Sequence, residues 1–150
     1  MKIVNLKELP SCIDRIAFWH FSEWGAWYPD SELEDFKADM EASLLASKIP
    51  QTWVLMEEEE GWGSVSILEK DLPDYPELSP WLANVYVEPS KRGLGYGQRL
   101  VRVAMEFAVQ QNLKPLFLYT TDQMSFYEKL GWETFKEDVY QGKKIFLMSK

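Results

Sequence analysis

Apolar and polar residues change their spacing several times along the chain, and each change marks an element. Lys2 to Leu6 alternates as an edge strand does, and Pro10-Ser11 opens a first helix through about His20. Leu33, Phe36, Met40, Leu44 and Leu45 fall at helical spacing on one face, predicting a second helix from a cap at Asp30 or Ser31 through about Ser47. Thr52 to Met56 and Gly63 to Leu68 flank Glu57-Glu58-Glu59-Glu60-Gly61 and predict a hairpin whose glutamate run is a solvated turn. With Pro73, Pro76 and Pro80, the stretch Asp71 to Pro80 can be neither helix nor inner strand. Trp81 to Val87 reads as a strand, Tyr96 to about Asn112 as an amphipathic helix and Leu116 to Thr120 as a buried strand. Met124 to Leu130 is a short helix stopped by Gly131, and Glu133 to Tyr140 with Lys143 to Met148 form a closing hairpin around Gln141-Gly142.

This order predicts an α/β fold, one twisted mixed sheet flanked by helices. A length of 150 residues sets a single domain, and 46% hydrophobic with 15% aromatic content argues against disorder. The opening residues, with Lys2, Lys7 and Glu8, offer neither a signal-peptide core nor a membrane span, so a cytoplasmic protein without a membrane partner is expected. Sixteen basic against twenty-four acidic side chains give a net charge of −8, which disfavours nucleic acid and favours a cationic partner, although acidic surfaces also serve solubility alone. Cys12 and His20 are the only residues of their kind, so an internal disulfide and a cysteine or histidine metal cluster are excluded and no metal is expected. Cys12 reads as a small buried apolar residue and His20 as a core or helix-end histidine.

The chemistry concentrates after the strand ending at Val87. Gly93, Gly95 and Gly97 lack the Cβ atoms that would hold a ligand off the backbone, and the helix that follows opens with unpaired N–H groups and the positive end of its dipole. An anion can be held there almost entirely by main chain. A dinucleotide fingerprint fails because Gln98 stands where its third glycine belongs, and a Walker loop fails for want of Gly-Lys-Ser/Thr. The pattern [RQ]-x-x-G-x-[GA] fits as Arg92-Gly93-Leu94-Gly95-Tyr96-Gly97. It resembles the pyrophosphate loop of the GCN5-related N-acetyltransferases, the GNAT superfamily, which bind acetyl-coenzyme A. Downstream, Phe126-Tyr127-Glu128-Lys129-Leu130-Gly131-Trp132 resembles that family's F-Y-x-K-x-G-F segment, with Trp132 for the usual phenylalanine. The motifs cover roughly residues 81 to 132. One parallel strand-helix-strand unit brings both to the same end of a sheet.

The resemblance implies transfer of an acetyl group from acetyl-coenzyme A directly to a primary amine. By it, the backbone of Val85, Tyr86 and Val87 would pair with the pantetheine arm, and amides from Arg92 to Gly97 would hold the pyrophosphate. Arg92 either adds charge-assisted contacts or is an ordinary exposed arginine. Phe126 and Asp122 would lie near coenzyme A, Asp122 standing where many relatives have asparagine. Tyr127 matches the general acid for the departing thiolate; its phenol, with a reference pKa near ~10, keeps its proton at neutral pH. Otherwise it is a packing aromatic.

The general base is less well supplied, because Trp81 stands about where some relatives carry a glutamate. Asp74 and Glu77 are candidate substitutes with Asn84 orienting a water, or else solvated loop acids. Trp24, Trp27 and Tyr28, between the first two helices, either box an alkyl or cationic group or cap the core. A small cationic amine and a peptide or protein N-terminus are both open as acceptors, as is a non-catalytic acyl-coenzyme A binding module. By resemblance, a homodimer through the terminal strands is compatible with the chain.

Overall fold

The apolar residues of the two strands between positions 51 and 68 divide between two cores, and this sets the layers. The computed structural model describes residues 1–150. Strands β2 (Gln51–Glu57) and β3 (Glu60–Leu68) are buried on both faces for most of their length. Trp53, Leu55, Val65 and Ile67 point to one side, where Leu100, Val101, Ala104 and Ala108 of α3 (Tyr96–Gln110) complete the largest core cluster. Val54 and Met56 point to the other side, against Ile13, Ile16 and Trp19 of α1 (Ile13–Trp24) and Met40 of α2 (Leu33–Leu45). Period-2 alternation thus feeds two apolar layers. Burying each large side chain contributes roughly 1.5–3 kcal/mol before the entropy of ordering it.

The sheet has seven strands in the order β1-β2-β3-β4-β5-β7-β6. The remaining strands are β1 (Lys2–Asn5), β4 (Trp81–Val87), β5 (Phe117–Thr120), β6 (Glu133–Tyr140) and β7 (Lys143–Ser149), with the short helix α4 (Met124–Glu128) after β5. All neighbours are antiparallel except β4 and β5, which run parallel and share the single pair Trp81↔Phe117. Beyond that pair the strands part. The register between β3 and β4 slips between Ser64 and Ser66, opposite Asn84, whose φ of 56° turns it left-handed. This is a β-bulge, which increases twist and re-aims the chain beside it. The Ser64 hydroxyl donates to the Asn84 carbonyl at 2.9 Å, so the disturbed backbone keeps a partner.

The element order agrees with the sequence reading, and the differences are local. Helix α1 starts after a tight turn at Pro10–Cys12 and runs on to Trp24. Helix α2 is capped by Glu32, which forms a reciprocal capping box with Asp35, rather than by Asp30 or Ser31. Leu33 and Leu45, expected on its buried face, are 37% and 91% exposed. They are its first and last residues, beyond the central patch where Met40 and Ser43 are buried. Cys12 is only partly buried. No helix is long and apolar enough to cross a membrane.

Candidate active site

Where β4 and β5 part, a cleft of about 1400 Å³ opens, lined by both strands, the glycine loop, the α1–α2 connection and the residues that follow β3. Val85, Tyr86 and Val87 line it from β4, and Gly93, Gly95, Tyr96 and Gly97 from the loop and the start of α3. Asp122, Phe126 and Tyr127 close its far side. Leu94 does not line it; its side chain is 59% exposed.

The loop is shaped for an anion. Gly93 and Gly95 have φ of 78° and 81°, and nothing lies within 4 Å of where a Cβ would be, so the backbone is both left-handed and bare. Gly95 is the N-cap of α3 and offers no side-chain cap, while the first bond closing the helix runs from the Arg99 amide to the Gly95 carbonyl at 3.3 Å. The amides of Tyr96, Gly97 and Gln98 therefore stand ahead of the helical ladder at the positive end of its dipole. At Gly97 a Cβ would come within 3.4 Å of Phe126, so glycine also admits the ring that walls the cleft.

Two side chains behave differently from a simple motif reading. Arg92 lines the cleft and is also held from behind: its Nε donates to the Val87 carbonyl at 2.7 Å, and its guanidinium lies 5.6 Å from the Tyr86 ring centroid, which stacks in turn on Trp19 at 5.3 Å. Glu57 is not merely part of a solvated turn. It accepts from the Tyr96 hydroxyl at 2.9 Å and pairs with Lys91, tying down both flanks of the loop, and these two partners hold its carboxyl below the usual range. The signal in sequence is position alone, since Glu57 is the glutamate of its run that ends β2.

Tyr127 is 9% exposed, and its hydroxyl makes no hydrogen bond within the protein. Burial raises its pKa, so the phenol stays protonated. Its ring packs edge-on against Phe126 at 5.0 Å and Trp132 at 6.2 Å, which fixes the ring while the polar tip remains available.

At the other end of the cleft, Trp24, Trp27, Tyr28 and Asn84 line the wall, but Asp74 and Glu77 do not. The loop after β3 makes two successive tight turns, closed by the Tyr75 amide on the Leu72 carbonyl at 3.0 Å and the Leu78 amide on the Tyr75 carbonyl at 3.1 Å. Pro73-Asp74 and Pro76-Glu77 occupy the outward corners, a favourable place for proline, while Leu72, Tyr75 and Leu78 turn inward around Trp81 and Tyr140. Of the three acids between Asp71 and Pro80, the one that faces the cleft is Asp71. Burial pushes its carboxyl up to about 7. In the sequence it stands only at the edge of a loop, although it directly precedes the inward residue Leu72.

The amide of Asn84 donates to Ser66 at 3.2 Å, and Ser66 shares a 2.8 Å hydrogen bond with Thr52. His20 lies beside this group, its Nε2 2.9 Å from the Ser64 hydroxyl, and burial lowers its pKa to about 3. Because Ser64 spends its proton on Asn84, His20 is the donor between them. It is a neutral core histidine that also forms part of the cleft floor.

Residues 48–134 match the family model described as an acetyltransferase (GNAT) domain. The chain belongs to the GNAT acetyltransferase family. It is 30% identical over 110 residues to human N-acetyltransferase 8B, a match covering 71% of this chain and 48% of that protein, so the chain spans about half the length of this curated relative. Among solved structures it resembles aminoglycoside 6'-acetyltransferase type Ii, with TM-score 0.76 and 21% identity over 100% of this chain and 96% of the other. It also resembles an aminoglycoside 6'-N-acetyltransferase complexed with coenzyme A, with TM-score 0.74 and 18% identity over 100% of this chain and 96% of that one. In this chain the glycine loop lies beside the gap between β4 and β5. Acetyl-coenzyme A, the cosubstrate the family implies, suits what this chain presents: a bare left-handed glycine backbone, uncapped helix amides and an open edge of β4.

Proposed function

We propose that the chain transfers the acetyl group of acetyl-coenzyme A to the primary amine of a small cationic molecule, acting in the cytoplasm. The observation that carries this reading is the composition of the acceptor end of the cleft. Glu23, Asp35, Asp39, Glu69 and Asp71 line it together with Trp24, Trp27 and Tyr28. A cleft with this charge and these ring faces raises the local concentration of an organic cation. The printed names of two solved relatives, both aminoglycoside 6'-acetyltransferases, point toward amine-bearing acceptors as well. The lone free cysteine suits a reducing compartment.

On this reading the amides of Tyr96, Gly97 and Gln98, with the backbone of Gly93 to Gly95, hold the pyrophosphate, and the open edge of β4 at Val85 pairs with the pantetheine arm. Arg92 positions β4 through the Val87 carbonyl, and the rest of its guanidinium adds charge at the pyrophosphate end of the cleft. Bound in this way, the cosubstrate supplies an activated acetyl thioester. Tyr127 presents a protonated hydroxyl to the sulfur as negative charge develops there. A homodimer would use the exposed side of the edge strand β6, where Phe135 and Val139 are 47% and 61% exposed.

The test is release of free coenzyme A from acetyl-coenzyme A against polyamines, aminoglycosides, amino acids and short peptides. Turnover restricted to cationic small amines supports the reading; turnover on peptide N-termini alone replaces the acceptor, and failure to bind acetyl-coenzyme A removes the reading altogether.

A further inference from the structure

Among the acids lining the cleft, Asp71 shares its part of the wall with aromatic rings. Trp27 and Tyr119 have ring centroids 6.5 Å apart, and the hydroxyls of Tyr28 and Tyr119 are 3.3 Å apart, all three side chains lining the cleft with Asp71. The charge of Asp71 helps to raise the pKa of both tyrosines, so all three groups lie within electrostatic reach of one another. Asp71 nevertheless forms no salt bridge, although Lys70 and Lys143 line the same cleft. Lys143 instead rests its ammonium 4.7 Å from the centroid of Trp27. This wall therefore already accepts a primary ammonium, from the protein's own side chain.

We propose that Asp71, walled by Trp27, Tyr28 and Tyr119, receives the ammonium of the acceptor and takes the proton that must leave before the nitrogen can attack. The inference rests on the acetyltransfer reading and deepens it: it assigns the catalytic base and defines the acceptor as a primary ammonium. A carboxylate with proton affinity near neutrality, about 7 here, suits that task, because it is ionised often enough to accept and basic enough to pull. The neighbouring phenols cannot compete for the role, since Tyr28 is pushed up to about 12 and Tyr119 further still.

The step balances. One N–H proton of the ammonium passes to a carboxylate oxygen of Asp71 and on to solvent. The freed lone pair forms the C–N bond, the C–S bond breaks with its electron pair on sulfur, and sulfur takes the proton of Tyr127. A second N–H proton from nitrogen restores the Tyr127 hydroxyl, leaving an amide and a thiol.

The experiment has two arms on the whole chain. Carbon-13 carboxyl NMR of the native protein reads Asp71 directly, identified by its loss in Asp71→Asn. A midpoint near pH 7 is expected, and an ordinary carboxylate midpoint overturns the assignment whether or not the variant folds. The titratable side chains that line the same part of the cleft are Tyr28, Tyr119, Lys143, Glu69 and Lys70. The second arm measures kcat and KM for coenzyme A release with spermidine and kanamycin from pH 6 to 9. Asp71→Asn is expected to lose on the order of a hundredfold or more in kcat and to gain rate steadily with pH. Coenzyme A affinity by calorimetry should stay within about threefold, because the group lies outside the glycine loop. Native turnover with Asp71→Asn within threefold of it defeats the inference and leaves acetyltransfer standing. Bound coenzyme A without native turnover on either amine defeats both.

Discussion

The hydroxyls of Tyr28 and Tyr119 meet at 3.3 Å across 91 residues of sequence, joining the loop after α1 to the strand β5. The contact links the acceptor wall to the far side of the sheet's opening. Tyr28→Phe and Tyr119→Phe, taken singly and together by urea denaturation, are expected to show a coupling of roughly 0.5–1.5 kcal/mol, typical of one partly buried neutral hydrogen bond. Strict additivity would mean that the two hydroxyls do not communicate.

Tyr127→Phe separates acid catalysis from packing. The ring contacts with Phe126 and Trp132 survive the change, so folding and coenzyme A affinity should be preserved. Only the proton donor is lost, and kcat for amine-dependent coenzyme A release should fall on the order of a hundredfold or more. An unchanged kcat would reduce Tyr127 to a core aromatic.

Glu57→Gln tests the anchoring of the glycine loop. Glutamine can still accept from Tyr96 but no longer pairs its charge with Lys91, so the loop loses part of its preorganisation. Coenzyme A should bind about three- to tenfold more weakly by calorimetry, with kcat at saturation little altered. A drop in kcat with Kd unchanged would place Glu57 in the reaction rather than beneath the loop.

His20 and Asp71 tilt the pH dependence of stability in opposite directions. The folded chain keeps His20 neutral down to about pH 3, whereas the unfolded chain protonates it below about 6.5, so this contribution is lost as pH falls. Asp71 has a folded pKa of about 7 against an unfolded value near ~3.9, so its contribution is present below about pH 4 and lost as pH rises toward 7. Each slope is about 1.4 kcal/mol per pH unit, and between about pH 4 and 6.5 they cancel. In Asp71→Asn only the histidine slope remains, so chemical denaturation should show stability climbing with pH across that window relative to the native chain. Parallel curves would contradict the titration assigned to Asp71.

Trp132 buries its indole N–H without an acceptor. Such an orphan costs roughly 1–3 kcal/mol, and replacement by phenylalanine removes it while leaving a smaller void. Trp132→Phe should therefore lie within about 1 kcal/mol of the native stability, against the ~3–5 kcal/mol usual for deleting a large buried aromatic to alanine. A loss of that larger size would show that the indole's volume outweighs its missing partner.

Periodicity made the fold legible because nearly every strand and helix here buries a face whose spacing the sequence repeats. The bounds of β4 and β6 agree residue for residue with the pattern. Leu33 and Leu45 misled for a physical reason: helical spacing defines a face but not how far a neighbouring helix extends along it. At the site, glycines were readable because their backbone requirement is local. Asp71 and Glu57 were not, since a carboxylate on a strand end and one at a turn corner look alike until the chain's direction decides which points inward. Asp74 and Glu77 are the converse case, placed outward by the prolines before them.

The single pair Trp81↔Phe117 divides the sheet into a four-stranded leaf and a three-stranded leaf sharing a spine one pair wide. A tether of that width leaves the two leaves joined mainly by side chains, with Trp81 packed against Phe117 and Tyr119 acting as the pin. A molecule lodged along the seam would rivet them together, so occupancy and mechanical cohesion become the same quantity. The chain has placed its weakest joint where a ligand can mend it.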